Sequence, residues 1–318
     1  MKVLITRKLP RVAIDLLLKN NIAVQVHDSD EPIKFRELVR YGKDADGILS
    51  LLTDRIDEKI INRLEKCKVI ANYAVGYNNI NTKAAKAKNI IVTNTPDILT
   101  DATADLTLAL LLSVCRRVIE SEMFTRSNKF TGWQPELFLG IELKGKTLGV
   151  VGAGRIGRAV AKRAAAFGMN IIYFNKSKKT EFELELNAQK VSLTKLIKKS
   201  DFVSLHLPLN SETQNLINSE KLELLKPNAV IINTARGEII DENYLIAMLK
   251  KKRIFGAGFD VYQNEPKVNK QLLKLNNVVL LPHIGSATFE ARSAMAELAA
   301  KNIINVLKGL PPITPVEL

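Results

Sequence analysis

The sequence predicts an α/β protein with two domains, each built around a parallel sheet. The chain has 318 residues, more than a single hydrophobic core usually organises, so two domains are the natural expectation. Short apolar runs alternate with segments of helical periodicity in both halves of the chain, and that order produces parallel sheets. A glycine-rich turn in the middle of the chain begins the second of these series.

The first third of the chain supplies the first series. Short apolar runs predict strands at residues 3–6, 24–26, 47–51, 69–71 and 90–93. Helical periodicity between them appears at 10–19 and 58–65. Residues 94–97 predict a turn, after which a long helix runs from 104 to 117, with Thr100 or Asp101 as its cap.

The second series follows the glycine turn. Its later strands are predicted at residues 170–175, 202–206, 229–233, 254–259 and 278–281. Residues 287–307 have helical periodicity. The tail that begins at 309 is rich in glycine and proline, which predicts an irregular end.

The glycine turn predicts a Rossmann-like, dinucleotide-binding domain. The apolar run 148–151 leads into a G-x-G-x-x-G pattern, and an alanine-rich helical segment follows. Gly152 permits the tight turn, Gly154 lets the backbone approach a pyrophosphate, and Gly157 lets helix and strand pack closely. The free N–H groups at the start of the helix favour the anion.

The loop after the next strand bears on the choice between the two nicotinamide cofactors. A carboxylate that bonds the adenosine ribose is expected about 20 residues beyond the glycines. The chain instead has Asn175, Lys176 and Ser177, followed by two more lysines. These side chains suit a 2′-phosphate, so we expect a preference for NADPH, with NADH possible. The alternative is a solvent-exposed lysine loop that accepts both cofactors.

Composition restricts the other classes of partner. The net charge is +14, but the lysines are scattered and no aromatic residues interleave their short clusters. We therefore expect no nucleic-acid partner, whereas the charge favours anionic substrates. No apolar run has the length of a membrane span, the N-terminus lacks the pattern of a signal peptide, and two distant cysteines suit a reducing cytoplasm. We expect no metal ion.

Three polar residues follow predicted strands of the second series and together form a chemical set. Arg236 can hold a carboxylate with a bidentate fork. His283 can deliver a proton to a carbonyl oxygen, and Glu265 beside it would orient the ring and keep it protonated. Taken singly, each has a structural explanation: a surface charge, a helix start and a packed histidine.

Several further stretches carry a resemblance to a known family. They are residues 28–33, 72–77, 94–105, 152–157, 232–237 and 282–288. In these stretches, and along nearly all of its length, the chain resembles the D-2-hydroxyacid dehydrogenases, and within them the glyoxylate/hydroxypyruvate reductases. The resemblance implies reduction of a small 2-oxo acid to the D-2-hydroxy acid.

The resemblance also implies an architecture. A discontinuous, flavodoxin-like substrate domain would comprise residues 1–99 and 286–318, and the dinucleotide-binding domain residues 100–285, with a cleft between the two. A homodimer would form around the long helix and the arm after it. Trp133 aligns with a tryptophan that reaches toward the partner's substrate site in related reductases. Ordinary burial in the interface is the equal alternative.

The resemblance assigns roles to individual residues. Arg236 would bind the substrate carboxylate and polarise the ketone, His283 would be the general acid in reduction, and Glu265 its partner. The other substrate-binding residues would be Leu51, Val75, Gly76, Ser286 and the partner's Trp133. The cofactor would contact Thr103, Gly152, Gly154, Arg155, Ile156, Gly157, Asn175, Lys176, Ser177, Pro208, Thr213, Thr234, Asp260, His283 and Gly285.

Other functions stay open at this point. Leu51 and Leu52 would wall a pocket for a small 2-oxo acid, or they simply pack a strand end. 2-Ketogluconate and D-lactate dehydrogenases are alternatives. A 3-phosphoglycerate dehydrogenase is disfavoured because the sequence ends at Leu318, without the regulatory domain that many such enzymes append. A corepressor-like protein that senses dinucleotides without turnover is the alternative outside the enzymes, since fold alone does not decide function.

Overall fold

The computed structural model describes residues 1–316 and divides them into two compact units. The first unit comprises Met1–Leu99 and the chain from Ser286 onward, and the second comprises Thr100–Gly285. Residues 317 and 318 of the predicted substrate domain lie outside the described residues. Each unit contains its own parallel sheet, which confirms the predicted α/β class.

The first unit contains a five-stranded parallel sheet in the order β2-β1-β3-β4-β5, the flavodoxin-like order that the resemblance implied. Its strands are β1 (Lys2–Ile5), β2 (Ala23–Val26), β3 (Gly47–Leu51), β4 (Val69–Tyr73) and β5 (Ile91–Thr93). Its first helices are α1 (Val12–Lys19), α2 (Phe35–Gly42), α3 (Glu58–Ile61) and α4 (Thr82–Ala87). The central strands are buried along most of their length, because helices cover both faces of a parallel sheet.

The second unit contains a seven-stranded parallel sheet in the order β12-β11-β10-β9-β6-β7-β8. Its strands are β6 (Thr147–Val151), β7 (Asn170–Phe174), β8 (Gln189–Lys190), β9 (Phe202–Leu205), β10 (Val230–Asn233), β11 (Gly256–Phe259) and β12 (Val278–Leu280). Its helices are α5 (Thr100–Cys115), α6 (Val118–Arg126), α7 (Arg155–Ala166), α8 (Thr180–Leu186), α9 (Leu193–Lys199), α10 (Ser219–Leu222) and α11 (Glu242–Lys250). The two-residue strand β8 is too short to leave a sequence pattern.

The long helix differs at both ends from the sequence prediction. It begins at Thr100, so neither Thr100 nor Asp101 is its cap. The Asp101 carboxylate instead accepts a hydrogen bond from Arg163 at 2.9 Å. The helix ends at Cys115 rather than at Arg117, because Arg117 adopts a left-handed backbone conformation with φ of +52°.

The last helix and the tail complete the first unit. Helix α12 (Phe289–Leu307) packs against α1 and β4. The tail is irregular, as its glycine and prolines predicted, but it is bonded to the sheet. Pro315 forms an antiparallel bridge with Thr93, and the Val316 N–H donates to the Val92 carbonyl at 2.9 Å. The tail therefore extends the edge of the sheet at β5.

Three further findings concern membrane spans, metal ions and the cysteines. Within residues 1–316, no helix combines the length and the apolar character that crossing a membrane requires. The same residues contain no cluster of three His, Cys, Asp or Glu side chains that could hold a metal ion. Cys67 and Cys115 are both buried and unpaired.

Candidate active site

The glycine turn joins β6 to α7 in the second unit. Gly152 has φ of +101°, and a Cβ there would lie 2.5 Å from the His206 carbonyl oxygen. A Cβ at Gly157 would lie 2.0 Å from the Gly152 oxygen, so helix and strand leave no room for a side chain. A Cβ at Gly154 would meet nothing within 4 Å. The backbone at Gly154 is therefore open on the side where a pyrophosphate would approach.

The position of this turn in the sheet is the one where α/β proteins bind ligands. Strand β6 has β7 on one side and β9 on the other, so the strand order reverses at β6. Ligands bind beyond the carboxyl ends of the strands at such a point. Gly154 stands at the N-terminus of α7, whose free N–H groups favour an anion. The residues present thus fit a dinucleotide.

His283 and Glu265 form a side-chain pair at the same edge of the sheet. The His283 Nδ1 lies 2.7 Å from the Glu265 Oε2, and the two side chains are about three-quarters buried. The other carboxylate oxygen of Glu265 accepts the Tyr262 N–H at 3.0 Å. With Nδ1 engaged by the carboxylate, Nε2 is the nitrogen left to exchange a proton with a ligand.

The electrostatics of this pair keep Glu265 ionised. Burial raises the pKa of Glu265, but the hydrogen bond and charge of His283, the Tyr262 N–H and the charge of Arg236 outweigh it, so that the pKa lies below its usual range. A carboxylate that remains ionised at neutral pH stabilises a protonated imidazole beside it.

Arg236 follows β10 and is held by its own loop. Asn233 fixes this loop, because its Oδ1 accepts the Ala235 N–H at 3.0 Å and its Nδ2 donates to the Arg236 carbonyl at 2.9 Å. The Arg236 Nη1 donates to the Ala235 carbonyl at 2.6 Å. Burial lowers the pKa of Arg236, while the charges of Glu265 and Glu238 oppose this effect. The guanidinium is thus a partly desolvated cation whose charge and that of Glu265 act on each other.

Asp260 organises the segment that carries His283. Its Oδ1 accepts the Ile284 N–H and its Oδ2 the Gly285 N–H, each at 2.7 Å. His283 itself has a left-handed backbone with φ of +55°, an unfavourable conformation for a residue with a side chain. Such strain persists only where surrounding contacts enforce it. The two bonds to Asp260 provide that enforcement and place the imidazole toward Glu265.

Two threonines predicted to meet the cofactor belong to the same hydrogen-bonded framework. The Thr103 Oγ1 donates to the Gly285 carbonyl at 3.1 Å. The hydroxyls of Thr107 and Thr234 lie 3.0 Å apart. Helix α5 is thereby connected both to the segment after His283 and to the loop that precedes Arg236.

The loop after β7 contains the residues predicted to select the cofactor. The Asn175 Nδ2 donates to the Ser177 carbonyl at 3.1 Å and lies 3.3 Å from its hydroxyl. Lys176 forms an ion pair with Glu212, whereas Lys178 pairs with Glu183 at 3.1 Å. Residues 175–179, where an acidic residue would bond the ribose, contain no carboxylate.

The segment after β9 forms a compact turn. The Thr213 Oγ1 donates to the Pro208 carbonyl at 2.6 Å, so the Thr213 hydroxyl serves the turn itself. Just before it, the His206 Nε2 lies 2.8 Å from the Ser204 hydroxyl. Burial lowers the pKa of His206 to about 3. His206 is therefore neutral at neutral pH.

In the first unit, the predicted substrate residues lie on loops that follow strand ends. Leu51 ends β3, and Val75 and Gly76 follow β4 and are partly exposed. The Ser286 carbonyl accepts the Thr288 N–H at 2.9 Å and the Arg292 Nε–H at 3.2 Å.

Trp133 lies in the segment between α6 and β6 and is 84% exposed. Other large apolar side chains of the same region are also exposed, namely Val118, Ile119, Met123, Phe130 and Leu139.

Sequence reasoning missed several residues that shape the site. Asn233, Tyr262 and Thr107 orient the loops around Arg236, Glu265 and Thr234, respectively. Asn233 and Tyr262 stand beside predicted residues, but no spacing or residue type distinguishes them from ordinary strand-end residues. Their contacts become visible only once the loops are folded.

Comparison with known proteins identifies the family. Residues 108–285 match the profile of the D-isomer specific 2-hydroxyacid dehydrogenase NAD binding domain. The glyoxylate reductase of Thermococcus litoralis is 50% identical over 316 residues, covering 98% of this chain and 95% of that protein.

Two solved structures are similar to this chain over nearly all of its length. The TT0316 protein from Thermus thermophilus is similar with a TM-score of 0.94 and 45% identity, covering all of both chains. A NADPH-dependent glyoxylate/hydroxypyruvate reductase from Sinorhizobium meliloti, solved with NADP and malonate, has a TM-score of 0.87 and 30% identity. The match covers 99% of this chain and 96% of that chain.

Proposed function

The chain belongs to the D-isomer specific 2-hydroxyacid dehydrogenases, NAD(P)-dependent oxidoreductases that act on 2-hydroxy acids, and we propose that it reduces glyoxylate and hydroxypyruvate. The observation that carries the proposal is the His283–Glu265 pair at 2.7 Å, together with the cation of Arg236, whose charge acts on Glu265. The relatives named glyoxylate reductase support this choice among the small 2-oxo acids.

In this proposal, His283 is the general acid. Glu265 fixes its Nδ1 and favours the charged ring, so Nε2 holds the proton that passes to the substrate's carbonyl oxygen. The nicotinamide cofactor supplies the hydride when it is bound. In the oxidative direction, the same nitrogen accepts the proton from the hydroxyl group.

Arg236 binds the carboxylate of the substrate and polarises its ketone. A guanidinium suits both tasks, because it presents several donors in one plane and stays charged. The N–H groups of Val75 and Gly76 bind the carboxylate as well, and Leu51 and Ser286 complete the set of substrate residues. Asp260 has an unused lone pair on each oxygen, so it can still accept from the cofactor's carboxamide.

We propose NADPH as the preferred cofactor. The glycine turn holds the pyrophosphate of either nicotinamide cofactor. Discrimination between NADPH and NADH therefore depends on the residues at the 2′ position of the adenosine ribose. There the loop offers Asn175, Lys176 and Ser177, and residues 175–179 contain no carboxylate of their own. Lys176 must then exchange its ion pair with Glu212 for one with the phosphate.

We also propose a homodimer. The exposed apolar side chains between Val118 and Leu139 support it, since large apolar side chains exposed on a monomer are candidates for an interaction surface. Trp133, the most exposed of these, is the residue that we expect to reach the partner's substrate. The free, buried cysteines suit a reducing compartment such as the cytoplasm.

The test is the initial rate of cofactor oxidation with NADPH and, separately, NADH. Glyoxylate, hydroxypyruvate and pyruvate are compared at matched concentrations. We expect fast turnover of glyoxylate or hydroxypyruvate with NADPH. Equal or better specificity with NADH would overturn the cofactor proposal alone. Turnover only with pyruvate or larger 2-oxo acids would overturn the proposed substrate.

A further inference from the structure

Three consecutive peptide groups after β4 have their carbonyls held by hydrogen bonds. The Ala74 carbonyl accepts the Thr95 N–H at 2.9 Å. The Val75 carbonyl accepts from the Asn94 Nδ2 at 2.9 Å, and the Gly76 carbonyl from the Asn72 Nδ2 at 2.8 Å. Because a trans peptide is planar, its N–H points away from its own carbonyl. Fixing a carbonyl thus also aims the N–H of the next residue.

The N–H groups aimed in this way are unpartnered. Among residues 1–316, neither the Val75 N–H nor the Gly76 N–H has a hydrogen-bond partner. The direction of the Val75 N–H depends on a backbone bond from Thr95. The direction of the Gly76 N–H depends on a side chain, that of Asn94. Asn94 is therefore the side chain whose removal frees this peptide to rotate.

Asn94 is itself anchored by the C-terminal segment. Its N–H donates to the Thr314 carbonyl at 3.3 Å, and its carbonyl accepts the Thr314 hydroxyl at 2.7 Å. Thr314 is in turn held by Asn302 of α12, which is fully buried. The Asn302 Oδ1 accepts the N–H groups of Ile313 and Thr314 at 2.9 and 3.0 Å, and its Nδ2 donates to the Thr314 hydroxyl at 2.8 Å.

We propose that Asn94 is a positioning residue for the substrate carboxylate, and that Thr314 and Asn302 hold it in place. This inference rests on the proposed role of the Val75 and Gly76 N–H groups. In this proposal the tail contributes to substrate recognition. Hydrogen bonds connect Asn302 through Thr314 and Asn94 to the peptide that carries the Gly76 N–H, and we call these three side chains the relay. The relay acts on binding of the carboxylate, not on proton transfer.

The experiment is a steady-state comparison with glyoxylate at saturating NADPH. Asn94→Ala should raise KM about tenfold, the loss of one hydrogen bond to a charged group, while kcat changes less than twofold. The dissociation constant for NADPH, measured by fluorescence titration, should not change. Thr314→Val, which keeps the shape but loses the hydroxyl, should raise KM by a smaller factor.

Asn81→Ala is the matched control for a merely structural effect. The Asn81 Oδ1 accepts the Ala84 N–H at 3.0 Å and caps α4, so this variant also loses one asparagine hydrogen bond in the first unit. It should leave the KM for glyoxylate at the wild-type value.

Asn94→Asp separates positioning from loss of fold. An ionised carboxylate cannot donate to the Val75 carbonyl, so KM should exceed that of Asn94→Ala at neutral pH. Protonation restores a donor, and the ratio of its KM to the wild-type KM should fall as the pH is lowered. An unchanged KM in Asn94→Ala, with active wild-type enzyme, would overturn this inference alone. A wild-type protein that turns over no glyoxylate would overturn the proposed function, and this inference with it.

Discussion

The two units carry different kinds of candidate binding group. The second unit uses charged side chains: His283 and the charge of Arg236 both lower the pKa of Glu265. The first unit uses neutral groups. Its candidate donors are two backbone N–H groups, and the side chains that fix the Gly76 N–H are two amides and a hydroxyl. The difference is one of chemistry. Proton transfer needs a group that changes charge, whereas recognition of a carboxylate needs only donors that stay in place.

The largest effect is expected for His283, one of the charged side chains of the second unit. His283→Ala removes the proton donor, and kcat should fall by about 10²–10⁴-fold, the usual contribution of a general acid. The dissociation constant for NADPH should stay near that of the wild type, which fluorescence titration measures. His27→Ala is the matched control and should keep full activity. A His283→Ala enzyme that retains most of its kcat would show that another group supplies the proton.

The next effect tests whether Asp260 sustains the strained backbone at His283. Asp260→Asn offers one acceptor to two N–H groups, so one of them would face an amide NH₂. We expect a loss of about 1–3 kcal/mol in the free energy of unfolding, the cost of an unsatisfied buried donor. Urea denaturation measures this loss, and kcat should fall with it. Unchanged stability would mean that the segment holds its conformation without the carboxylate.

A third prediction concerns pH and sharpens the role of Glu265. The lowered pKa of Glu265 keeps its carboxylate ionised at and below neutral pH. The negative charge beside His283 is lost only as the pH falls through that lowered value. Glu265→Gln removes the charge but preserves the shape. In the wild type, kcat/KM should therefore decline at acid pH as Glu265 becomes protonated. This acid decline should be absent from Glu265→Gln, whose kcat/KM should be lower throughout. An unshifted profile would leave Glu265 with a purely structural role.

The smallest effect concerns the cofactor loop. Lys176→Ala should raise the KM for NADPH about twofold to fivefold, because an exposed ion pair contributes little. The KM for NADH should not change. Lys178→Ala, in the same loop but paired with Glu183, serves as the control. Equal effects on both cofactors would indicate that Lys176 does not meet the 2′-phosphate.

The two units also differ in how far the sequence predicts their candidate site residues. Gly152, Gly154 and Gly157 form a pattern whose spacing has a physical cause, and strand-end residues such as Arg236 and His283 stand where sheets bind ligands. The relay in the first unit has no such pattern. Asn94 and Thr314 are 220 residues apart in sequence, and nothing local to either predicts their contact.

The tail illustrates why long-range contacts escape sequence reasoning. Its prolines predict an irregular end, and they do exclude a helix. They do not exclude pairing at a sheet edge, where Pro315 meets Thr93, because an edge position tolerates the missing N–H. Similarly, Asp101 has the residue type of a helix cap, but its contact with Arg163 depends on the packing of α5 against α7.

We would first measure kcat and KM for glyoxylate at saturating NADPH, with His283→Ala and Asn94→Ala side by side. We predict that the first variant loses kcat with a much smaller change in KM. The second should gain KM and keep its kcat. If both variants changed the same parameter to the same extent, the proposed difference in role between His283 in proton transfer and Asn94 in carboxylate recognition would be wrong.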